Sequence, residues 1–414
     1  MQCTVPPPPS ATPPRPPLAV SPRSLLAAFA HLPDPRRARS VTYALPALLA
    51  LAVAAILSNH LSVLAIAEWG ARQSPDLLRT LGCPTGRTPC QSTLQRLFSK
   101  LDGHALSALL EAHFAPAVVP VPAAAEADAT LQGVAMDGKA QRGRLPFQQG
   151  GCPVHALTAF CHEHGVVLAH EPIEPGQGAE QEKGEAELTV APALLARVAW
   201  PGRVLTGDAL FCQRHLCQQV LAAGGDYLLL VKENQPTLYE DIRLLFDPPP
   251  SLASLPLLDQ REAHTRDRGH GRQDDVRQLV ASTDLNGYVE WPGLAQVFRL
   301  RRTWREHGQT KEALHYGITS LRPQAGPPER LLALKRAHWR IENDLHRVKD
   351  VSLGEDQSLI HQGHGPTIMA LLREAAVSLL HRAGIRQISA RLRYHSQHPA
   401  AAVALLVAPL PADA

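Results

Sequence analysis

Three acidic residues stand where their chemistry could be used. Asp137 and Asp208 each close a short apolar run, at 133–137 and 203–208, and each has a glycine beside it, Gly138 and Gly207. Such runs read as β-strands that end in an acid. Glu342 lies inside a long stretch of helical periodicity. Magnesium favours hard oxygen ligands and near-octahedral geometry, so a few carboxylates and substrate phosphate oxygens hold it. Two strand-end aspartates facing a helical glutamate would make such a site, one able to hold two metals ~3.5–4 Å apart. Each acid also has an ordinary reading. An aspartate after a strand is commonly a turn residue. A helical glutamate beside arginines is commonly a surface ion-pair partner, worth at most ~0.5 kcal/mol.

The helix around Glu342 divides into two faces. At ~100° per residue, Lys335, His338, Glu342, His346 and Lys349 fall within about 40° of one line. Leu334, Ala337, Ile341, Leu345 and Val348 form the neighbouring apolar face. One face would dock the helix, and the other would present a carboxylate among cationic groups, as suits a metal ligand beside a phosphate backbone. A solvated basic face with an incidental glutamate is the plainer alternative. Residues 299–349 carry 12 Lys and Arg against 5 Asp and Glu, a local excess larger than the whole chain's net charge of +3. Trp304 and Trp339 lie among these arginines and could stack on unpaired bases or anchor a core.

The elements that must position these residues follow a clear order. Residues 1–24 hold nine prolines in the first 22 positions and read as a disordered tail. Helical patterns at 25–32, 43–57, 61–72, 91–101 and 104–114 make 25–115 an all-helical N-terminal domain. A Pro/Ala-rich linker follows at 116–130. Then come a strand at 133–137, a hairpin of 154–161 and 166–170, and a Glu-rich loop with Glu171, Glu174, Glu180, Glu182, Glu185 and Glu187. A helix at 188–198, a strand at 203–208, a helix at 213–223 and a strand at 226–231 complete an α/β pattern with a mixed sheet. Residues 238–330 break the rhythm and read as a β-rich insertion, with strands at 276–281, 296–302 and 314–320. Helices resume at 331–349 and 368–382. The remainder, 386–414, reads as a C-terminal tail.

Composition excludes several classes. The 414 residues carry 41 Lys and Arg against 38 Asp and Glu, a balance that does not decide on a nucleic-acid partner by itself. Seven cysteines make no disulfide framework, and the odd count points to a reducing compartment. The most apolar stretch, 44–57, contains Pro46 and falls short of the ~20 residues a spanning helix needs. With no signal pattern at the N-terminus, the expectation is a cytoplasmic protein without a membrane partner. No Gly-x4-Gly-Lys-Ser/Thr loop argues for ATP use.

Other clusters compete for attention. Glu355 and Asp356 rival Glu342 as the third acid, but they follow Gly354, past the expected helix end. Cys152, His155, Cys161, His162 and His164 suggest zinc, yet a hairpin sends neighbours to opposite faces and no Cys-x2-Cys pair exists. Cys212 and Cys217 read as buried thiols, with a Cys–His nucleophile as the alternative.

The ordered blocks Asp34-Pro-Arg-Arg37, Ala65-Ile-Ala-Glu-Trp69, Ser92-Thr-Leu-Gln-Arg96, Asp137-Gly-Lys139, Thr206-Gly-Asp208, Lys232-Glu-Asn-Gln-Pro236, His338-Trp-Arg-Ile-Glu-Asn343 and Gly354-Glu-Asp356 carry a resemblance. Over about 25–385 the chain resembles insertion-sequence transposases of the ISAs1 type, related to the H-repeat-associated proteins in the IS4-like DDE group. The resemblance implies an RNase H-like catalytic core over 131–385, interrupted by the insertion, and a transposase-associated helical domain before it. It implies Asp137, Asp208 and Glu342 as catalytic metal ligands for two Mg²⁺ ions, with Mn²⁺ as a substitute. It further implies cleavage of transposon-end DNA, strand transfer into target DNA, and a homodimer on paired ends. The group's Tyr-x2-Arg-x3-Glu-x6-Lys signature is partly met: Lys349 matches, His338 replaces Arg and Lys335 replaces Tyr. Lys139, Lys232, Lys335, Arg336, His338, Arg340 and Lys349 are the expected DNA contacts. A catalytically inactive, regulatory DNA-binding descendant and a simple nuclease are the alternatives.

Overall fold

The computed structural model describes residues 20–114, 131–140, 155–173, 183–250, 258–269, 272–306 and 308–409. Most of the proline-rich tail and the whole 116–130 linker lie outside them, as do Cys152, Glu174, Glu180 and Glu182. The tail's last residues already belong to the fold. Ser21 N–H donates to Val407 O at 2.8 Å, and Ser24 caps the first helix through Ala27 N–H at 3.1 Å.

The sheet begins with an antiparallel meander of β1 (Gln132–Ala140), β2 (His155–Cys161) and β3 (Val167–Ile173). On the other side of β1, β4 (Arg203–Gly207) and β5 (Asp226–Val231) run parallel to it. The order β3-β2-β1-β4-β5 is the RNase H-like mixed sheet. The sheet continues through β9 (Gln309–Thr319), β8 (Gln296–Glu306), β7 (Arg272–Ser282) and β6 (Arg261–Gly269), all antiparallel, to nine strands. The expected insertion is therefore no separate body, because β9 pairs directly with β5 from Leu228↔Thr319 to Val231↔Tyr316. Two of its elements escaped the sequence pattern. Polar, arginine-rich β6 has no apolar alternation, and helix α9 (Pro236–Phe246) starts inside the preceding motif.

One sheet face carries a helical layer. It holds α1 (Leu25–Ala28), α2 (Leu45–Leu57), α3 (Val63–Ala71), α4 (Pro75–Thr80), α5 (Gln91–Phe98) and α6 (Gly103–Phe114). Ser62 and Ser74 cap α3 and α4 with side-chain oxygens, as such positions favour. Every α2 residue except Pro46 is buried, which explains why this helix is apolar all round. No described helix is long and apolar enough to cross a membrane. The opposite face carries α7 (Lys183–Ala196), α8 (Arg214–Ala222) and α9 over a second core.

Two expectations near the C-terminus are corrected. Of the expected tail over 386–414, the described residues to 409 are folded: α12 (Ile388–Gln397) and α13 (Pro399–Val407) pack against α2 and bury Ala402, Val403, Leu406 and Val407. With α11 (Gly365–Arg382) they share one core with the N-terminal helices and with Ala135, Phe160 and Val167 of the sheet. The helix expected over 331–349 is α10 (Pro328–Ala337) followed by two π-helical segments, Ile341–His346 and Val348–Ser352.

Candidate active site

Strand register brings the two aspartates together. β1 and β4 pair in parallel up to Ala135↔Thr206. Asp137 and Asp208 each lie two residues beyond that pair, so adjacent strands about 5 Å apart deliver them side by side. Asp137 does not end its strand, as the sequence pattern suggested. β1 continues to Ala140 by pairing with β2, with Asp137 opposite Thr158. Asp208 does follow the end of β4, where its carboxylate accepts from Leu210 N–H at 2.9 Å.

The first π-helical segment packs on β1 and brings Glu342 to Asp137. Between them stands the His346 ring, with Nδ1 3.5 Å from Asp137 Oδ2 and 3.4 Å from Glu342 Oε2. One oxygen of each carboxylate and this nitrogen lie within 4.8 Å of one another. Asp137 and Glu342 side chains are 38% and 50% exposed, whereas His346 is 5% exposed. Open carboxylates over a buried imidazole suit an ion arriving from solvent.

The charges respond to one another. Burial works against an ionised Asp137, but hydrogen bonding and charge from His346, helped by His338, hold its carboxyl below the usual range. Hydrogen bonding to His346 likewise lowers Glu342 against a smaller burial effect. Burial pulls the His346 ring down, and its two carboxylate partners push it above its usual value. Asp208 is pushed up by burial and by the charges of Asp137 and Glu187, with Lys232 opposing. A cation would relieve the repulsion between Asp208 and Asp137. Two open carboxylates with a third beside them match the oxygen donors a hard divalent ion prefers, so these residues fit one.

Neutral and charged braces hold the acids in place. Thr206 Oγ1 bridges His338 Nδ1 at 3.1 Å and His162 Nε2 at 3.0 Å, joining β4, the β2–β3 turn and the start of the Glu342 helix. Burial lowers the two rings to about 4 and about 3, so both are neutral near pH 7. Asn234 Nδ2 donates to Ala209 O at 2.6 Å and Gln235 Nε2 to Cys212 O at 3.0 Å, which ties the turn after Asp208 to the Lys232-Glu-Asn-Gln-Pro236 block. Glu187 on α7 accepts from His155 Nε2 at 2.9 Å and lies so close over Gly138 that a β-carbon there would overlap its carboxylate. Gly138 is a glycine for that close approach.

Comparisons with known proteins decide the family. Residues 26–114 match the family described as DDE_Tnp_1-associated, and residues 128–380 match the family described as Transposase DDE domain. The second match spans more than half of the chain. The chain belongs to the DDE transposase family. It is 27% identical over 367 residues to the putative transposase YncI of Escherichia coli O157:H7, covering 86% of this chain and 87% of that one. It is 25% identical over 377 residues to the H repeat-associated putative transposase YhhI of Escherichia coli (strain K12), covering 88% and 93%. Among solved structures, a piggyBac transposase synaptic complex with hairpin DNA aligns over 92% of this chain and 77% of that one, with a TM-score of 0.40 and 11% identity.

In the transposase the cationic row along the helix lies largely inside. Lys335 and His338 are 8% and 9% exposed, and Lys349 is 3% exposed. Lys349 Nζ is 2.6 Å from Glu374 and 3.3 Å from Glu355, and Glu374 also meets His170 at 3.1 Å. Lys349 thus anchors the second π segment to α11 and is not presented to a phosphate. Burial lowers Lys335 to about 8 against the charge of nearby Asp208. Lys139 pairs with Asp350 at 2.6 Å, Arg336 with Asp267 at 2.7 Å and Arg340 with Asp344 at 2.7 Å, while Lys232 is exposed. Trp339 is 61% exposed beside Lys335, and the Arg302 guanidinium lies 4.9 Å over the Trp304 ring.

The competing clusters separate. Glu355 is buried against Lys349, and neither it nor Asp356 joins the Asp137–Glu342–His346 group. His155 meets Glu187, Cys161 meets Glu163, His162 meets Thr206, and His164 meets Gln132 and Arg382. Among the described residues they do not converge as zinc ligands. Cys212 and Cys217 are buried thiols whose pKa values burial raises, Cys217 to about 12. His346, Thr206, Glu187 and Asp350 were not assigned to the site from sequence. His346 carried a signal, its i+4 spacing from Glu342, and Glu187 carried none.

Proposed function

We propose that this DDE transposase uses Asp137, Asp208 and Glu342 to cut the DNA ends of its insertion sequence and join them to target DNA with Mg²⁺. The convergence of Glu342 and Asp137, with Asp208 delivered beside Asp137 by strand register, carries this reading. Asp137 and Glu342 are held ionised and open to solvent, ready to take a cation together with phosphate oxygens. When bound, a pair of divalent ions activates the attacking water or hydroxyl and stabilises the leaving oxygen. Water attacks the scissile phosphodiester and frees a 3′-hydroxyl. That hydroxyl then attacks a target phosphodiester, and one bond forms as one breaks. Lys232 lies near Asp208 and, with Arg336 and Arg340, would hold the DNA backbone; losing one such contact lowers the salt slope of binding by about one. Joining two ends calls for two protomers, so the working form is a homodimer on paired ends.

The test is the purified chain with linear DNA carrying both ends of its element, in Mg²⁺ and in EDTA. Nicked ends and joined products with Mg²⁺, and binding alone in EDTA, are expected. Binding without metal-dependent nicking, or cutting indifferent to end sequence with no joining, contradicts the proposal.

A further inference from the structure

One buried polar side chain is aimed into the site. His346 Nδ1 faces Asp137 Oδ2 at 3.5 Å and Glu342 Oε2 at 3.4 Å. Charge-assisted hydrogen bonds close to about 2.7–2.9 Å, so both separations are loose for an ion pair. Two donors on one octahedral cation with bonds of about 2.1 Å stand about 3 Å apart when adjacent and about 4 Å when opposite. Both His346 separations fall inside that interval. The second ring nitrogen, Nε2, is buried and has no hydrogen-bond partner among the described residues. Packing helps to fix the ring, since Leu345 beside it is fully buried and the π-helical turn lies against β1.

Resting on the metal centre proposed above, we infer that His346 is a further ligand of that centre. Nδ1 joins one oxygen of Asp137 and one of Glu342 on the cation they share. The ring binds through the Nδ1 lone pair and keeps its single proton on Nε2. A nitrogen donor among oxygens moves the site's preference away from Mg²⁺ and toward Mn²⁺ and the later divalent metals. The π-helical segment carries Glu342 and His346 four residues apart, on the same side of Asp137.

The test titrates the full chain with Mn²⁺ alone and reads the bound ion by pulsed electron paramagnetic resonance. Wild type is expected to show ¹⁴N coupling, which becomes ¹⁵N coupling after growth on labelled histidine. His346→Gln is expected to lose the coupling, with Mn²⁺ affinity falling about tenfold and Mg²⁺ affinity falling less. Mn²⁺ that binds through Asp137, as shown by loss in Asp137→Asn, but without nitrogen coupling overturns the ligand role and leaves the acidic centre standing. So does coupling that survives His346→Gln. Mn²⁺ that fails to bind, or binds regardless of Asp137, overturns both readings. The isotope swap needs no substitution, so a poorly folding variant does not hide the answer.

Discussion

Single atoms decide how the acids are held. Thr206 Oγ1 sits between two neutral imidazoles, two residues before Asp208 and linked to the ring four residues before Glu342. Thr206→Val leaves both rings short of a partner in the interior, and should cost about 1–3 kcal/mol in a urea unfolding series; an unchanged midpoint would show that the hydroxyl positions nothing. Lys349 is the larger risk. Lys349→Met removes the ammonium that Glu374 and Glu355 share and leaves Glu374 only His170 beside it, and removing one partner of a buried pair costs about 3–5 kcal/mol. A loss under 1 kcal/mol by the same method would refute that account. Asp208 does end its strand beside a glycine, a local pattern, whereas Asp137 was singled out by the same pattern although β1 runs on to Ala140. Lys349 was misjudged because its partners come from α11 and the turn at 355–357, which helical periodicity does not report.

At the element scale, the helix of Glu342 matters most. A uniform ~100° per residue placed a cationic face toward DNA. The backbone instead widens after His338 into π-helical turns, and flanking elements cover both faces: β5, β6 and β7 against α10, and β1, α11 and α12 against the π segments. Nothing in local propensity signals that change. Helix α9 was more readable than it was read, since Pro236 stands in its first turn, where proline is favoured. The C-terminal helices went unread because 388–397 is largely polar and 399–407 is a short apolar run opened by Pro399. Their importance can be measured at Leu406, which is fully buried among the N-terminal helices. Leu406→Ala should lower stability by about 2–5 kcal/mol, whereas a surface tail residue would change it by less than 0.5 kcal/mol in rough terms.

At the scale of the whole molecule, one nine-stranded sheet carries the acids at the junction of its meander and its parallel half, with helices from both ends of the chain closing one face. Buried neutral histidines make this assembly acid-sensitive. Burial lowers His113 and His338 to about 4 and His162 to about 3. Their folded values lie below the unfolded one near 6.5, so the unfolded chain takes up protons first. The stability they permit is complete above pH 6.5 and drains away as pH falls toward 4. At pH 5 each should have cost roughly 2 kcal/mol relative to pH 7.5; raised His346 offsets part of this. Equal unfolding midpoints at the two pH values would contradict it. The central claim remains that three distant carboxylates act as one centre on DNA. Strand transfer of pre-cut end DNA by Glu342→Gln, beside wild type in Mg²⁺, tests it most directly. The account predicts at least about a hundredfold loss of joined product with DNA affinity and melting temperature unchanged. Undiminished joining by that variant would contradict it.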